Sequence, residues 1–182
     1  MNYHNITHED MLNGDGIRVV LWVSGCPHHC EECQNPETWS PNSGIEFDEE
    51  AKREIFNELS KDYVSGITFS GGDPLAVFNV HFVFDLMEQI KKHFPNKTIW
   101  VYTGYTFEEL EECVSWTHTG VGRYSTYDEG VAKILPLIDV LVDGEYKKDL
   151  RDVNLKWRGS SNQRVIDVQK SLKEGKVVLH CE

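Results

Sequence analysis

Positive charge is scarce in this sequence: 18 lysines and arginines stand against 30 aspartates and glutamates, a net charge of −12. A chain this acidic repels phosphate backbones, so no nucleic-acid partner is expected, whereas a basic protein surface would suit it. Long apolar runs are missing too. None approaches the roughly 20 residues needed to cross a bilayer. The opening stretch MNYHNITHED lacks a basic segment followed by an apolar one. A cytoplasmic location is therefore expected, with no membrane partner. There is no internal repeat, low-complexity tract or linker, and residues 1–182 read as one domain able to build a single core. Cysteine is sparse, with five in all: Cys26, Cys30, Cys33, Cys113 and Cys181. An odd, clustered set does not suit a secreted disulfide framework and points to metal or redox chemistry.

What is present alternates between strand and helix patterns. The β-branched run Ile17–Val23 predicts a buried strand that stops at Ser24-Gly25, where the cysteine cluster begins. Asp48 predicts a helix cap ahead of Ala51, Ile55 and Leu59. A second strand over 66–69 ends at Ser70-Gly71-Gly72. A helical period through Val80, Val83, Phe84, Met87 and Ile90 follows, then a third strand over Thr98–Tyr102. Thr106 can cap a short helix reaching Cys113. Residues 115–130, rich in Thr, Ser, Gly and Tyr, read as a loop insertion. A helical turn within 131–138, a fourth strand over 139–142 and two late strands over 164–168 and 176–179 complete the pattern. This alternation predicts an α/β fold with a mostly parallel sheet and right-handed crossovers. In such folds ligands gather at the carboxyl ends of the strands. The cysteines, the glycines and Asp143 all fall at such ends.

Cys26-x-x-x-Cys30-x-x-Cys33 carries the strongest chemistry. Thiolates suit zinc or iron–sulfur clusters. Three cysteines on a four-iron cluster would leave one iron open to a substrate. A zinc site completed by His28, His29 or Cys113 fits the same spacing, and three buried free thiols are a further reading. Gly71-Gly72-Asp73-Pro74 lets a ligand approach the backbone closely and sets a carboxylate beside it, suited to an ammonium group. A plain turn before a helix is the alternative. Asp143, before Gly144, is a ligand candidate or a turn residue.

Taken together, the cysteine and glycine motifs resemble the radical S-adenosylmethionine superfamily. The resemblance narrows through Asn13-Gly14-Asp15-Gly16-Ile17-Arg18, Asn35-Pro36-Glu37-Thr38-Trp39, Trp100-Val101-Tyr102-Thr103-Gly104-Tyr105, Leu141-Val142-Asp143-Gly144 and Trp157-Arg158-Gly159-Ser160-Ser161-Asn162-Gln163. These are similar to the anaerobic ribonucleotide reductase activating proteins, which activate a glycyl-radical enzyme. The resemblance implies a partial, open (β/α) barrel in which Cys26, Cys30 and Cys33 hold a [4Fe-4S] cluster. It implies S-adenosylmethionine bound along Gly71, Gly72 and Asp73, with the backbone of Glu32, Cys33 and Gln34 near its nucleoside. The implied reaction is reductive cleavage of S-adenosylmethionine, fed by a flavodoxin-type donor, and hydrogen abstraction from a glycine of the large reductase subunit. No catalytic side chain beyond the cluster is implied, since the cofactor carries the hard chemistry. Competing readings are action on another glycyl-radical enzyme or a small molecule, a cluster-bearing electron carrier, or a zinc-stabilised module without catalysis.

Overall fold

The structure is a computed structural model describing residues 1–119 and 125–181. The chain runs through β1 (Asn2–Asp10), β2 (Ile17–Val23), β3 (Ile45–Glu46), α1 (Glu49–Leu59), β4 (Val64–Gly71) and α2 (Val80–His93). It continues through β5 (Thr98–Tyr102), α3 (Phe107–Thr119), α4 (Thr126–Ile134), β6 (Val140–Asp143), β7 (Arg164–Asp167) and α5 (Val168–Glu174). Local chemistry accounts for the boundaries. The Asp48 side chain accepts from the backbone N–H groups of Glu50 and Ala51 and so starts α1. Ala51, Ile55 and Leu59 then bury one stripe of that helix, worth roughly 1.5–3 kcal/mol for each of the larger two.

The strands form one sheet in the order β3-β1-β2-β4-β5-β6-β7. Pairs β2–β4, β4–β5 and β5–β6 are parallel. Pairs β1–β2, β1–β3 and β6–β7 are antiparallel. The expected partial (β/α) barrel with a mostly parallel sheet is therefore corrected: the sheet is mixed and open, with parallel strands only at its centre. The connections explain this. The turn between β1 and β2 spans only residues 11–16, too short for the crossover of a dozen or more residues that a parallel pair needs. Residues 144–163 lead from β6 back to β7 with only a 3-10 turn (Lys148–Leu150) and no crossover helix.

Two local readings are also corrected. Residues 115–119 complete α3 and residues 126–130 open α4, so most of the expected insertion is helical. Ser125 starts α4 by a capping box with Asp128. The remainder of that stretch, 120–124, lies outside the described residues. The expected strand over 176–179 is a single bridge between Leu179 and Ile166. The segment before it is α5, closed by Gly175 at a φ of 64°.

Strand alternation divides the side chains between two faces. Val19, Leu21, Val23, Ile67, Phe69, Ile99, Val101 and Leu141 join the buried side chains of the helices in the main core. On the other face Trp100, Val140, Val142 and Val165 make a smaller cluster with Tyr102, Trp157 and Cys181. Trp22, Ser70 and Tyr102 line a cavity on that second face. Among the described residues no helix is long and apolar enough to cross a membrane.

Candidate metal centre

β2 delivers the chain to the cysteine loop. Gly25 turns it at a φ of 94°. The Gly25 N–H then donates to the Thr38 carbonyl (2.6 Å) and the Cys26 N–H to that of Trp39 (3.0 Å), tying the loop to the Pro36–Thr38 turn. β4 runs beside β2 with Gly71 opposite Val23. The glycine turn consequently lies against the loop's root. The Gly72 N–H donates to Val23 and the Asp73 N–H to Gly25, both at 2.7 Å. A side chain on Gly72 would place its Cβ 2.4 Å from the Gly25 carbonyl oxygen. Glycine is required there because two backbones touch.

Cys26, Cys30 and Cys33 are half-buried and unpaired. Cys26 and Cys30 line a cavity of about 110 Å³ with Gly71, Gly72 and Asp73. Cys30 and Cys33 line an adjoining one of about 440 Å³ with Gln34. Cys30, Ser70, Tyr102, Tyr146 and Gln163 border both. Burial pushes the Cys26 thiol up to about 11 and raises Cys30 as well. His29 and Glu32, within the loop, have φ values of 48° and 54°, a backbone few side chains favour. Three thiols on one tightly wound loop, facing connected space, are a donor set suited to an iron–sulfur cluster.

The zinc reading loses its extra ligands. Cys113 packs against the main core, on the far side of the sheet. The Nε2 and Nδ1 atoms of His28 lie 2.8 Å from Asp73 and 3.1 Å from Glu145. His29 Nδ1 sits 3.2 Å from the Pro27 carbonyl. Among the described residues no three His, Cys, Asp or Glu side chains are gathered as single-ion ligands.

Asp73 is 1% exposed. Its carboxylate accepts from the Leu75 N–H (2.8 Å), the Thr103 hydroxyl (2.9 Å) and the Gly104 N–H (3.0 Å), besides facing His28. Burial opposes charge on His28, but the bonds and charges of Asp73 and Glu145 outweigh it and raise the imidazole above its ordinary value. Asp143 lies outside the two thiol-lined cavities and borders a third, beside His28 and Glu145. Its buried carboxylate accepts from the Phe107 N–H at the start of α3 (2.8 Å) and is clasped by the Arg164 guanidinium. Arg164 also grips Glu108. The Glu32 side chain turns to Lys148 (2.7 Å), which bonds Glu31 too.

The structure thus brings Cys26, Cys30, Cys33, Gln34, Gly71, Gly72 and Asp73 together. It turns the Glu32 carboxylate and the Asp143 carboxylate elsewhere. Residues the spacing did not single out as site members are Tyr102, Tyr146, Gln163 and, as a partner of Asp73, His28. The position of Tyr102 at the end of its strand is the one local signal that marked it.

Three cysteines at the carboxyl edge of the parallel strands, beside a glycine turn, are the kind of donor set an iron–sulfur protein carries. Residues 12–166 match the family described as a 4Fe-4S single cluster domain. The chain is 39% identical over 165 residues to the anaerobic ribonucleoside-triphosphate reductase-activating protein of Enterobacteria phage T4, covering 91% of this chain and 93% of that one. It is 41% identical over 167 residues to the protein of that name from Escherichia coli K12, covering 91% and 97%. The Haemophilus influenzae protein of the same name is 38% identical over 165 residues, covering 90% and 96%. The chain belongs to the family of anaerobic ribonucleoside-triphosphate reductase-activating proteins.

Proposed function

We propose that this chain is an activase that installs a glycyl radical on an anaerobic ribonucleoside-triphosphate reductase, using S-adenosylmethionine. The observation that carries the reading is the set of three unpaired thiols facing connected cavities that the Gly71-Gly72 turn also borders. Cys26, Cys30 and Cys33 would hold the [4Fe-4S] cluster. Reduced by an external donor, the cluster would supply the single electron that splits the S-adenosylmethionine sulfonium into methionine and a 5′-deoxyadenosyl radical, and that radical would take a hydrogen from the glycine to leave 5′-deoxyadenosine.

The chain's own groups bind, orient and shield. Gly71 and Gly72 leave backbone free of side chains along the smaller cavity, where the amino-acid end of S-adenosylmethionine is proposed to lie. Asp73 is proposed for its ammonium, and in this structure that carboxylate is shared with His28. The backbone at Glu32, Cys33 and Gln34 is proposed for the nucleoside, toward the larger cavity. Asp143 is proposed to shape the rim by holding α3 and Arg164. The proposed partners are proteins, namely the reductase and a reduced flavodoxin-type donor, in the cytoplasm; neither nucleic acid nor membrane is among them. Residues 1–182 are proposed to act as one unit.

The test is anaerobic. The protein is loaded with iron and sulfide, reduced and given S-adenosylmethionine; 5′-deoxyadenosine and methionine should form, and Cys30→Ala should form neither. Added reductase should then show a glycyl-radical signal. A fully loaded wild type that leaves S-adenosylmethionine intact would overturn the reading.

A further inference from the structure

Reducing an iron–sulfur cluster adds negative charge, and this chain is an unfavourable host for it. Its net charge is −12. Carboxylates also crowd the cysteine loop itself. Glu31 and Glu32 stand between Cys30 and Cys33, while Asp73 and Glu145 flank His28. Negative charge beside a cluster opposes electron uptake.

The loop that follows β6 supplies a counter-charge. Residues 145–148 run alongside residues 28–32 and grip them in matching order. Glu145 lies 3.1 Å from Nδ1 of His28. The backbone N–H of Tyr146 is directed at Cys30 and favours its thiolate. Lys148 Nζ reaches Glu32 at 2.7 Å and Glu31 at 3.2 Å. Among the described residues no other cation pairs with either glutamate. Fold stability does not account for this arrangement. The Lys148, Glu31 and Glu32 side chains are 43%, 78% and 57% exposed, and ion pairs this solvated contribute little to folding. Their effect on neighbouring charge is a different quantity. The loop carries two carboxylates, each next in sequence to a half-buried thiol of the candidate cluster, and Lys148 cancels one of them.

We propose that Lys148, by offsetting Glu31 and Glu32, raises the reduction potential of the cluster held by Cys26, Cys30 and Cys33. Lys148 acts through the cysteine loop and touches neither S-adenosylmethionine nor the partner's glycine. The step it favours is uptake of one electron from an external one-electron donor. The donor is oxidised, the cluster is reduced, and no bond forms or breaks. The proposal rests on the [4Fe-4S] assignment within the activase reading. Without Lys148 the loop holds two uncompensated carboxylates, and a given donor fills the cluster less.

The experiment is an anaerobic potentiometric titration of loaded protein at one fixed pH, without S-adenosylmethionine. Dithionite and small mediators set the potential, and electron paramagnetic resonance reads the reduced cluster. Wild type, Lys148→Gln, Lys148→Arg, Glu31→Gln and the double variant Lys148→Gln/Glu31→Gln are compared at equal iron content. In Lys148→Gln the ratio of reduced to oxidised cluster at a fixed potential should fall about threefold. That is a midpoint about 30 mV more negative, at about 59 mV per tenfold for one electron. Glu31→Gln should raise the ratio by a similar factor. The double variant should return to wild type, and Lys148→Arg should never leave it, because the charge is restored in one and kept in the other. Salt at about 1 M should shrink every difference. Urea midpoints of the cluster-free variants should stay together. A Lys148→Gln potential equal to wild type would overturn the proposal. So would a shift that Lys148→Arg shares or that Glu31→Gln fails to reverse, since the shape of the loop and not its charge would then be at work. Protein that takes up iron and sulfide without forming a four-iron cluster would instead overturn the cluster assignment, and the role of Lys148 with it.

Discussion

The Nε2 atom of His28 lies 2.8 Å from Oδ2 of Asp73, across 45 residues of sequence, and joins the cysteine loop to the glycine turn. Glu145 holds the other ring nitrogen. One imidazole therefore links the three loops that follow β2, β4 and β6. Asp73 is the hub, because it also satisfies Thr103, Gly104 and Leu75.

Asp73→Ala removes the acceptor for four groups at a site with almost no solvent. The cost should be about 3–5 kcal/mol, in the range for breaking a buried pair. Asp73→Asn keeps one carbonyl oxygen and should cost less. His28→Ala should cost least, since the other Asp73 bonds survive. Urea unfolding of the cluster-free proteins gives the order, and an Asp73→Ala midpoint equal to wild type would remove Asp73 from its place as hub.

Arg18 is a second buried organiser. It is fully buried, and its guanidinium donates to Thr68 and Thr98 hydroxyls and to the Asp15, Ile67 and Thr98 carbonyls. Burial lowers its pKa to about 10, so it stays charged at neutral pH. Thr68 in turn donates to the Asn13 carbonyl, so the guanidinium fixes the segment that carries Met11 and Leu12. Lysine has three donors on one atom and cannot reach five acceptors spread this widely. Arg18→Lys should therefore destabilise by about 2–4 kcal/mol from bonds left unmade, read as a lower urea midpoint. A midpoint within error of wild type would show that the fork geometry is dispensable.

Much of the centre of the sheet was legible. β2, β4, β5 and β6 are apolar or β-branched runs bounded by glycine or aspartate, and Asp48 and Thr106 announce their helices. The edges were not. β1 reads NYHNITHED, and only Ile6 in it is buried, so no hydrophobic period betrays an edge strand. The direction of β7 depends on its pairing with β6, which no local pattern encodes. The cysteine and glycine motifs were legible for a related reason: their chemistry is in residue type and spacing. The bonds that complete the site were not, because His28 and Glu145 meet across 117 residues. Asp143 was legible as a strand-end carboxylate, but its partner Arg164 is supplied by the antiparallel return that the alternation did not foresee.

The Arg164 clasp makes a pH prediction. Hydrogen bonding to Arg164 holds Glu108 below its ordinary value of 4.5. A depressed carboxyl stabilises the fold fully above its unfolded pKa, and that contribution fades as pH falls through the folded value. Wild type should thus exceed Glu108→Gln in stability at pH 6, and the two should converge in acid, below about 4.5. The gap should stay under about 1 kcal/mol, because the pair is largely solvated. Thermal melts between pH 3 and 7 test this, and a gap that widens in acid would reverse the sign.

Cysteine reactivity offers a more local test. Burial raises Cys26 to about 11 from an ordinary 9.0. The thiolate is the nucleophile, so at neutral pH the reactive fraction should be roughly a hundredfold below that of an unperturbed cysteine. In cluster-free protein, alkylation of Cys26 by iodoacetamide should be slow at pH 7. It should accelerate about tenfold per pH unit toward pH 10, since each unit multiplies the thiolate fraction by ten while the thiol predominates. Peptide mapping by mass spectrometry resolves Cys26 from the other four cysteines. Cluster loading should abolish the reaction at every pH, because the sulfur is then committed to iron. Rapid labelling of Cys26 at pH 7 in folded protein would mean that the loop is more open than the Gly25 and Thr38 contact allows. Labelling that survives full loading would remove Cys26 from the ligand set.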